Sequence, residues 1–185
     1  MPAAVPPRRS RRWIGFFVVL GLLASAAMVV PLLYNLSIQL HPEQLAEARR
    51  RWEEKAPVNY DLKYLVETKH QSEGEPEKRE YLVMVRDGRV VFVADTGEVL
   101  YLDPSFALVA GPTALAMTSQ AATNFGVPAL FDEIEAALRR DETSGRKNYT
   151  QAQFDSRDGH PRHYIHSVHD TKERIEWNVK LTRVE

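Results

Sequence analysis

Residues 174–183 read Arg-Ile-Glu-Trp-Asn-Val-Lys-Leu-Thr-Arg, and this stretch decides the fold. Ile175, Trp177, Val179 and Leu181 recur at every second position, with Glu176, Asn178, Lys180 and Thr182 between them. A period of two puts each set on its own face of a β-strand. One face is therefore apolar and the other wet, the pattern of an antiparallel sheet covered on one side. Working outward, Tyr60, Leu62, Tyr64 and Val66 alternate with Asp61, Lys63 and Glu67. Tyr81 to Val85 and Arg89 to Ala94 flank Asp87-Gly88, a strong hairpin signal because such a turn needs positive φ. Asp95-Thr96-Gly97 turns again into Val99–Leu102, and Asp103-Pro104 stops that strand. Thr150, Ala152 and Phe154, then Arg162 to Val168, supply further strands, with turns at Asp158–Pro161 and Asp170–Lys172. His70–Lys78 and Asp141–Lys147 read as polar loops.

Two segments carry helical spacing instead. Leu45, Ala48, Trp52 and Ala56 recur every three to four residues, so a helix is expected over about 43–56, with Pro42 tolerated in its first turn and Pro57 ending it. Leu130, Phe131, Ile134, Ala137 and Leu138 define a second, opened by Pro128 and running to about residue 140. Pro112 to Thr123 fits a helix or a loop equally well. The expected fold class is α+β: an N-terminal transmembrane helix, then one domain of antiparallel sheet, five to seven strands, covered by two helices.

The N-terminus differs in kind from the rest. Arg8, Arg9, Arg11 and Arg12 are the only charges before Glu43. Of 24 basic and 25 acidic residues, 20 and 25 remain once those arginines are set aside, so residues 13–185 carry −5. Phosphate contact needs a clustered basic surface, so nucleic-acid binding by the domain is disfavoured. The run Arg49-Arg50-Arg51 lies among Glu47, Glu53 and Glu54 and reads as a solvated helix face. Ile14 to Tyr34 carries no charge and spans about 30 Å as a helix, one bilayer's hydrocarbon thickness. Trp13 and Tyr34 bracket it where aromatic rings favour the interface, and the arginine bias holds the N-terminus in the cytoplasm. Competing readings are a signal peptide cleaved after Ala24-Ser25-Ala26, a twin-arginine start at Ser10-Arg11-Arg12, and a buried core helix. The apolar run continues well beyond the small-residue site, which favours an uncleaved anchor. The expected organisation is a basic cytoplasmic tail over 1–12, a signal-anchor over 13–34, a connector over 35–42 and an extracytoplasmic α+β domain over 43–185.

Leu45-x-x-Ala48-x-x-x-Trp52, Tyr60-x-x-x-Tyr64, Val83-x-Val85-x-Asp87-Gly88, Leu130-Phe131-x-x-Ile134, Tyr149, Phe154-Asp155 and Gly159-His160-Pro161 stand in that order before the closing alternating strand. In this order and spacing residues 43–185 resemble a family of small bacterial extracytoplasmic domains of unknown function, usually placed behind an export signal or a lipoprotein anchor. The resemblance implies fold and location, and no activity. Some members of that family carry a cysteine pair near the early strands; this chain has no cysteine. Disulfides, thiolate metal sites and cysteine nucleophiles are thereby excluded.

His160, His163, His166 and His169 recur every third residue, with Asp155, Asp158 and Asp170 nearby. Imidazoles suit zinc, copper or nickel. On a strand, however, His163 and His166 point to opposite faces, so four-fold convergence is not expected. Asp132, Glu133 and Glu135 fall on the solvated side of a helix, which argues against acid–base catalysis. No nucleophile elbow, dinucleotide fingerprint or phosphate loop is present. Trp52, Tyr60, Tyr64, Tyr81 and Trp177 fit a core, with a ligand cleft as the competing reading. Asn35-Leu-Ser37 and Asn148-Tyr-Thr150 match glycosylation sequons, which mean little in a bacterial chain. The expectation is a non-enzymatic protein without cofactor, held in the bilayer through residues 13–34, whose domain binds or scaffolds an envelope protein or small ligand. The alternative is a metal-handling protein using the His160–His169 segment.

Overall fold

The computed structural model describes residues 11–70, 74–107, 117–144, 148–169 and 171–184. The chain divides into two compact units, residues 1–38 and 39–185. The first holds one helix, α1, Arg11–Ile38. Its described side chains are apolar on every side. Phe16, Phe17, Val18 and Val19 sit on four consecutive positions, about 100° apart, and all are exposed. Among the described residues no helix is long and apolar enough to cross a membrane. The helix runs through Pro31 and past the expected end at Tyr34, to Ile38. His41, ahead of Pro42, is extended at φ −99°, ψ 145°. The folded domain begins at Gln39, inside the expected connector. The Leu40 N–H donates to the Thr150 carbonyl at 2.8 Å and the Leu40 side chain is buried.

The second unit is α+β. Its elements are α2 (Pro42–Lys55), β1 (Tyr60–Lys69), β2 (Glu77–Arg86), β3 (Arg89–Asp95), β4 (Glu98–Leu102), α3 (Pro104–Ala107), α4 (Ser119–Ala122), a 3-10 turn (Thr123–Phe125), α5 (Val127–Ser144), β5 (Tyr149–Phe154), β6 (Pro161–Ser167) and β7 (Arg174–Arg183). The strands form one seven-stranded sheet in the order β4-β3-β2-β1-β7-β6-β5, antiparallel throughout. The expected hairpins are there. Asp87 and Gly88 have φ 51° and 71°, Thr96 and Gly97 have 48° and 88°, so both turns use the double positive-φ geometry that matches strand twist.

Register sets the core. Tyr64 pairs with Tyr81 and Val179, Leu62 with Val83 and Leu181, Tyr164 with Trp177. These side chains share one face, on which Leu45, Ala48 and Trp52 of α2 and Phe131, Ile134 and Ala137 of α5 close a single cluster. Trp52 meets Tyr60 edge-on at 5.5 Å, and Trp177 lies 4.5 Å from Tyr164. Arg49 ties the two helices, its guanidinium 2.7 Å from Asp132 and 3.2 Å from Glu135. Arg50 and Arg51 pair along α2 with Glu54 and Glu47.

Three expectations need correction. Ala56 lies just past the end of α2 and is exposed, because Pro57 stops the helix one residue before the expected end. Asp141 to Ser144, expected as loop, continue α5; no glycine or proline interrupts them. The open face is not uniformly polar. Met84, Phe92 and Leu102 form one row across β2, β3 and β4, and Leu82, Ala94 and Val99 the next. Of the undecided stretch, Ser119–Ala122 is a helical turn capped by the Thr118 hydroxyl, which accepts from Ala121 N–H at 3.3 Å. Residues 108–116 lie outside the described residues.

Candidate functional site

The histidine segment is split by the sheet. β6 places His163 on the open face, its Nε2 3.0 Å from Glu176 Oε1 of β7. That hydrogen bond, ahead of the contribution of Arg174, holds the Glu176 carboxyl below its usual range despite partial burial. His166 points to the opposite, helix-covered face, with Nε2 3.3 Å from both oxygens of Asp141 on α5. His169 lies beyond the strand, its N–H donating to Asn148 Oδ1 at 3.0 Å. His160 precedes the strand and is buried against Trp52.

Asp155, Asp158 and His160 bring one ligand atom each within 4.8 Å of one another. Several of their atoms are already engaged. Asp158 Oδ1 accepts from the His160 N–H at 3.2 Å and lies 2.5 Å from His160 Nδ1; Oδ2 accepts from Arg183 at 2.9 Å. Asp155 Oδ1 accepts from Arg157 N–H at 2.8 Å. Burial pushes the Asp158 carboxyl up, but the bonds from His160 and Arg183 outweigh it and hold it below its ordinary value. The loop is a clamp on α2. Gly159, at φ +84°, brings its backbone so close that a Cβ there would stand 2.3 Å from the Ala48 carbonyl oxygen.

Asp132, Glu133 and Glu135 are engaged in ion pairs with Arg49, Arg139 and Arg140. Trp52, Tyr60, Tyr64 and Trp177 are buried in the core and Tyr81 is half-buried.

Two clefts flank the core at opposite ends of β1. One, of about 450 Å³, is lined by Lys69, Arg140, Asp141, Asn148, His166 and Arg174 among others. Its floor is a closed polar knot, because Asp141 also accepts from Asn148 and from the Thr150 hydroxyl. The other, of about 550 Å³, opens between the β1–β4 half of the sheet and the start of α5, lined by Tyr60, Arg89, Tyr101, Gln120, Thr123 and Gly126 among others. Burial pushes the Tyr60 phenol up to about 12, against the pull of the Val127 N–H bonded to its oxygen. Tyr101 is only 3% exposed, and its phenol too is raised by burial and then by nearby Asp103. Sequence reasoning passed over Tyr101 and Arg89, which sit inside runs read simply as strand. No signal in one sequence marks either as a cleft residue.

Comparison with protein-family models, with characterised proteins and with solved structures finds no match.

Proposed function

We propose that the protein is a single-pass membrane-anchored binding module, its N-terminus cytoplasmic and its α+β domain extracytoplasmic. The observation that carries this reading is α1. Phe16, Phe17, Val18, Val19, Leu22, Leu23 and Met28 are all about half exposed or more, around the whole circumference. A helix apolar on every side suits lipid or the interior of a large protein, not water. In the sequence the uncharged run reaches Tyr34, and Arg8, Arg9, Arg11 and Arg12 precede it. That bias orients the span with its N-terminus inside. The resemblance to small exported bacterial domains points the same way. The domain supplies a rigid sheet with open clefts and a half-apolar outer face, features that suit holding a ligand or an envelope protein.

A C-terminal alkaline phosphatase fusion, which folds only outside the cytoplasm, tests the topology. Activity is expected, together with protease sensitivity of the domain in spheroplasts. An inactive fusion with a protected domain sinks the reading. Cross-linking in intact cells followed by mass spectrometry tests the binding role; recovery of the chain with no cross-linked species from any surface of the domain counts against it.

A further inference from the structure

The geometry points to the cleft between β1–β4 and the start of α5 as a site for a small monocarboxylate with an apolar body, gripped by Arg89 and the hydroxyls of Tyr60 and Tyr101. Tyr101 is 97% buried by its 3% exposure, yet its hydroxyl has no hydrogen-bond partner among the described residues. No fully enclosed side-chain polar atom among those residues lacks a partner, so this hydroxyl is not fully enclosed, and its residue lines the cleft. A phenol held in an apolar wall with its one polar atom unspent is a donor waiting for an acceptor.

Tyr60 adds a second donor. Its oxygen already accepts from the Val127 N–H, so its own proton is left to donate outward. A Cβ on Gly126 would stand 3.8 Å from that hydroxyl, which fixes it at the mouth of α5. Both phenols remain protonated at any physiological pH, because burial raises each above its ordinary value. The charge comes from Arg89, which lines the cleft, is exposed and makes no ion pair among the described residues. The N-terminal end of the 18-residue α5 adds partial positive charge in the same place.

The one carboxylate in the wall is Asp103, whose charge interacts with Arg89 without a close ion pair among the described residues. Asp103 Oδ1 is folded back to accept from Ser105, both from its N–H at 2.9 Å and from its hydroxyl. Its fixed negative charge beside a single arginine selects against dianions and for a single charge. Val85, Val90 and Pro128 complete the lining and supply an apolar wall for the ligand's body. A volume of about 550 Å³ suits a small organic acid.

This assignment rests on the binding-module reading and is tested apart from it. The full chain, 15N-labelled in detergent micelles, is titrated with benzoate, with neutral benzamide and with inorganic phosphate while amide and arginine Nε resonances are followed. Benzoate is expected to shift Gly126, Val127 and Arg89 saturably, leaving His163 and Glu176 on the far face unmoved, and benzamide is expected to shift none of them. Tyr101→Phe keeps the buried ring and removes only the hydroxyl; Arg89→Gln changes an exposed side chain and leaves the core alone. Each is expected to weaken benzoate binding about tenfold or more, the value of a hydrogen bond to a charged group. No saturable shift with benzoate, tighter binding of phosphate than benzoate, or unchanged binding in both variants overturns the assignment. A partner cross-linked to the domain in cells alongside a silent benzoate titration sinks the cleft and spares the binding module.

Discussion

Substituting Gly159 by alanine separates two physical costs that are usually confounded. The residue sits at φ +84°, and a Cβ there meets the Ala48 carbonyl oxygen at 2.3 Å and Arg51 Cβ at 3.1 Å. Gly88 is the natural control, at φ +71° with nothing within 4 Å of its would-be Cβ. Left-handed backbone costs an L-residue about 1–2 kcal/mol. Gly88→Ala should therefore lose about that much. Gly159→Ala carries the same cost plus the displacement of α2 backbone, about 1–3 kcal/mol for an overpacked contact that must give way. The sum, about 2–5 kcal/mol, is a large share of the roughly 5–15 kcal/mol that holds a domain together. Urea titrations of the full chain in micelles, followed by tryptophan fluorescence, read both variants. Trp52 is well placed as a reporter, since its ring lies 6.4 Å from His160 next to the substituted residue. Equal losses for the two variants would refute the argument, because they would mean that the loop does not press on α2 at Ala48.

Two further outcomes follow from the same structure. Trp177→Ala removes a side chain only 7% exposed and packed on Tyr164, so it should cost about 3–5 kcal/mol, whereas exposed Asn178→Ala should cost about 0.5 kcal/mol or less; similar small values in urea melts would place Trp177 on a surface. Asp158 has its folded-state value depressed by His160 and Arg183 despite burial. Its contribution is therefore present above the ordinary carboxylate range and is lost as pH falls through the folded value. Asp158→Asn should lose about 1–3 kcal/mol at neutral pH and show a shallower acid limb in pH-dependent urea melts. An acid limb identical to that of the unsubstituted chain would exclude Asp158 as its source.

Much of the sheet was legible because its signals are local. The alternation from Ile175 to Leu181 names its own buried face, and Asp87-Gly88 demands a turn whatever surrounds it. The face of α5 at Leu130, Phe131 and Ile134 is equally self-contained. What stayed hidden depends on residues far apart in the chain. Leu40 reads as connector until its N–H is seen on Thr150 of an edge strand. Asp141 reads as loop, yet it is helical and receives His166 from β6. His160 reads as a turn or metal-ligand residue, but only the tertiary structure reveals that Asp158 and Arg183 complete a buried network around it. Tyr101 is the sharpest case. Four residues of strand give no hint that one tyrosine among them lines an open cleft, because that depends on where α4 and α5 pack.

The place of β7 in the sheet has a consequence for how the domain comes into being. Leu62 pairs with Leu181 and Tyr60 with Arg183, so the middle of the sheet is a seam between early and late parts of the chain. A polypeptide delivered N-terminus first can complete the β1–β4 meander alone, but β1 then shows a bare row of backbone donors and acceptors. Nothing earlier than residue 174 can satisfy that row in the native way. Closure is therefore late and non-local, the slow kind of strand pairing. Until it happens, the waiting edge is open to a neighbouring chain in the same state. A polypeptide stalled short of β7 is not a slightly smaller domain; it is two half-sheets without a seam.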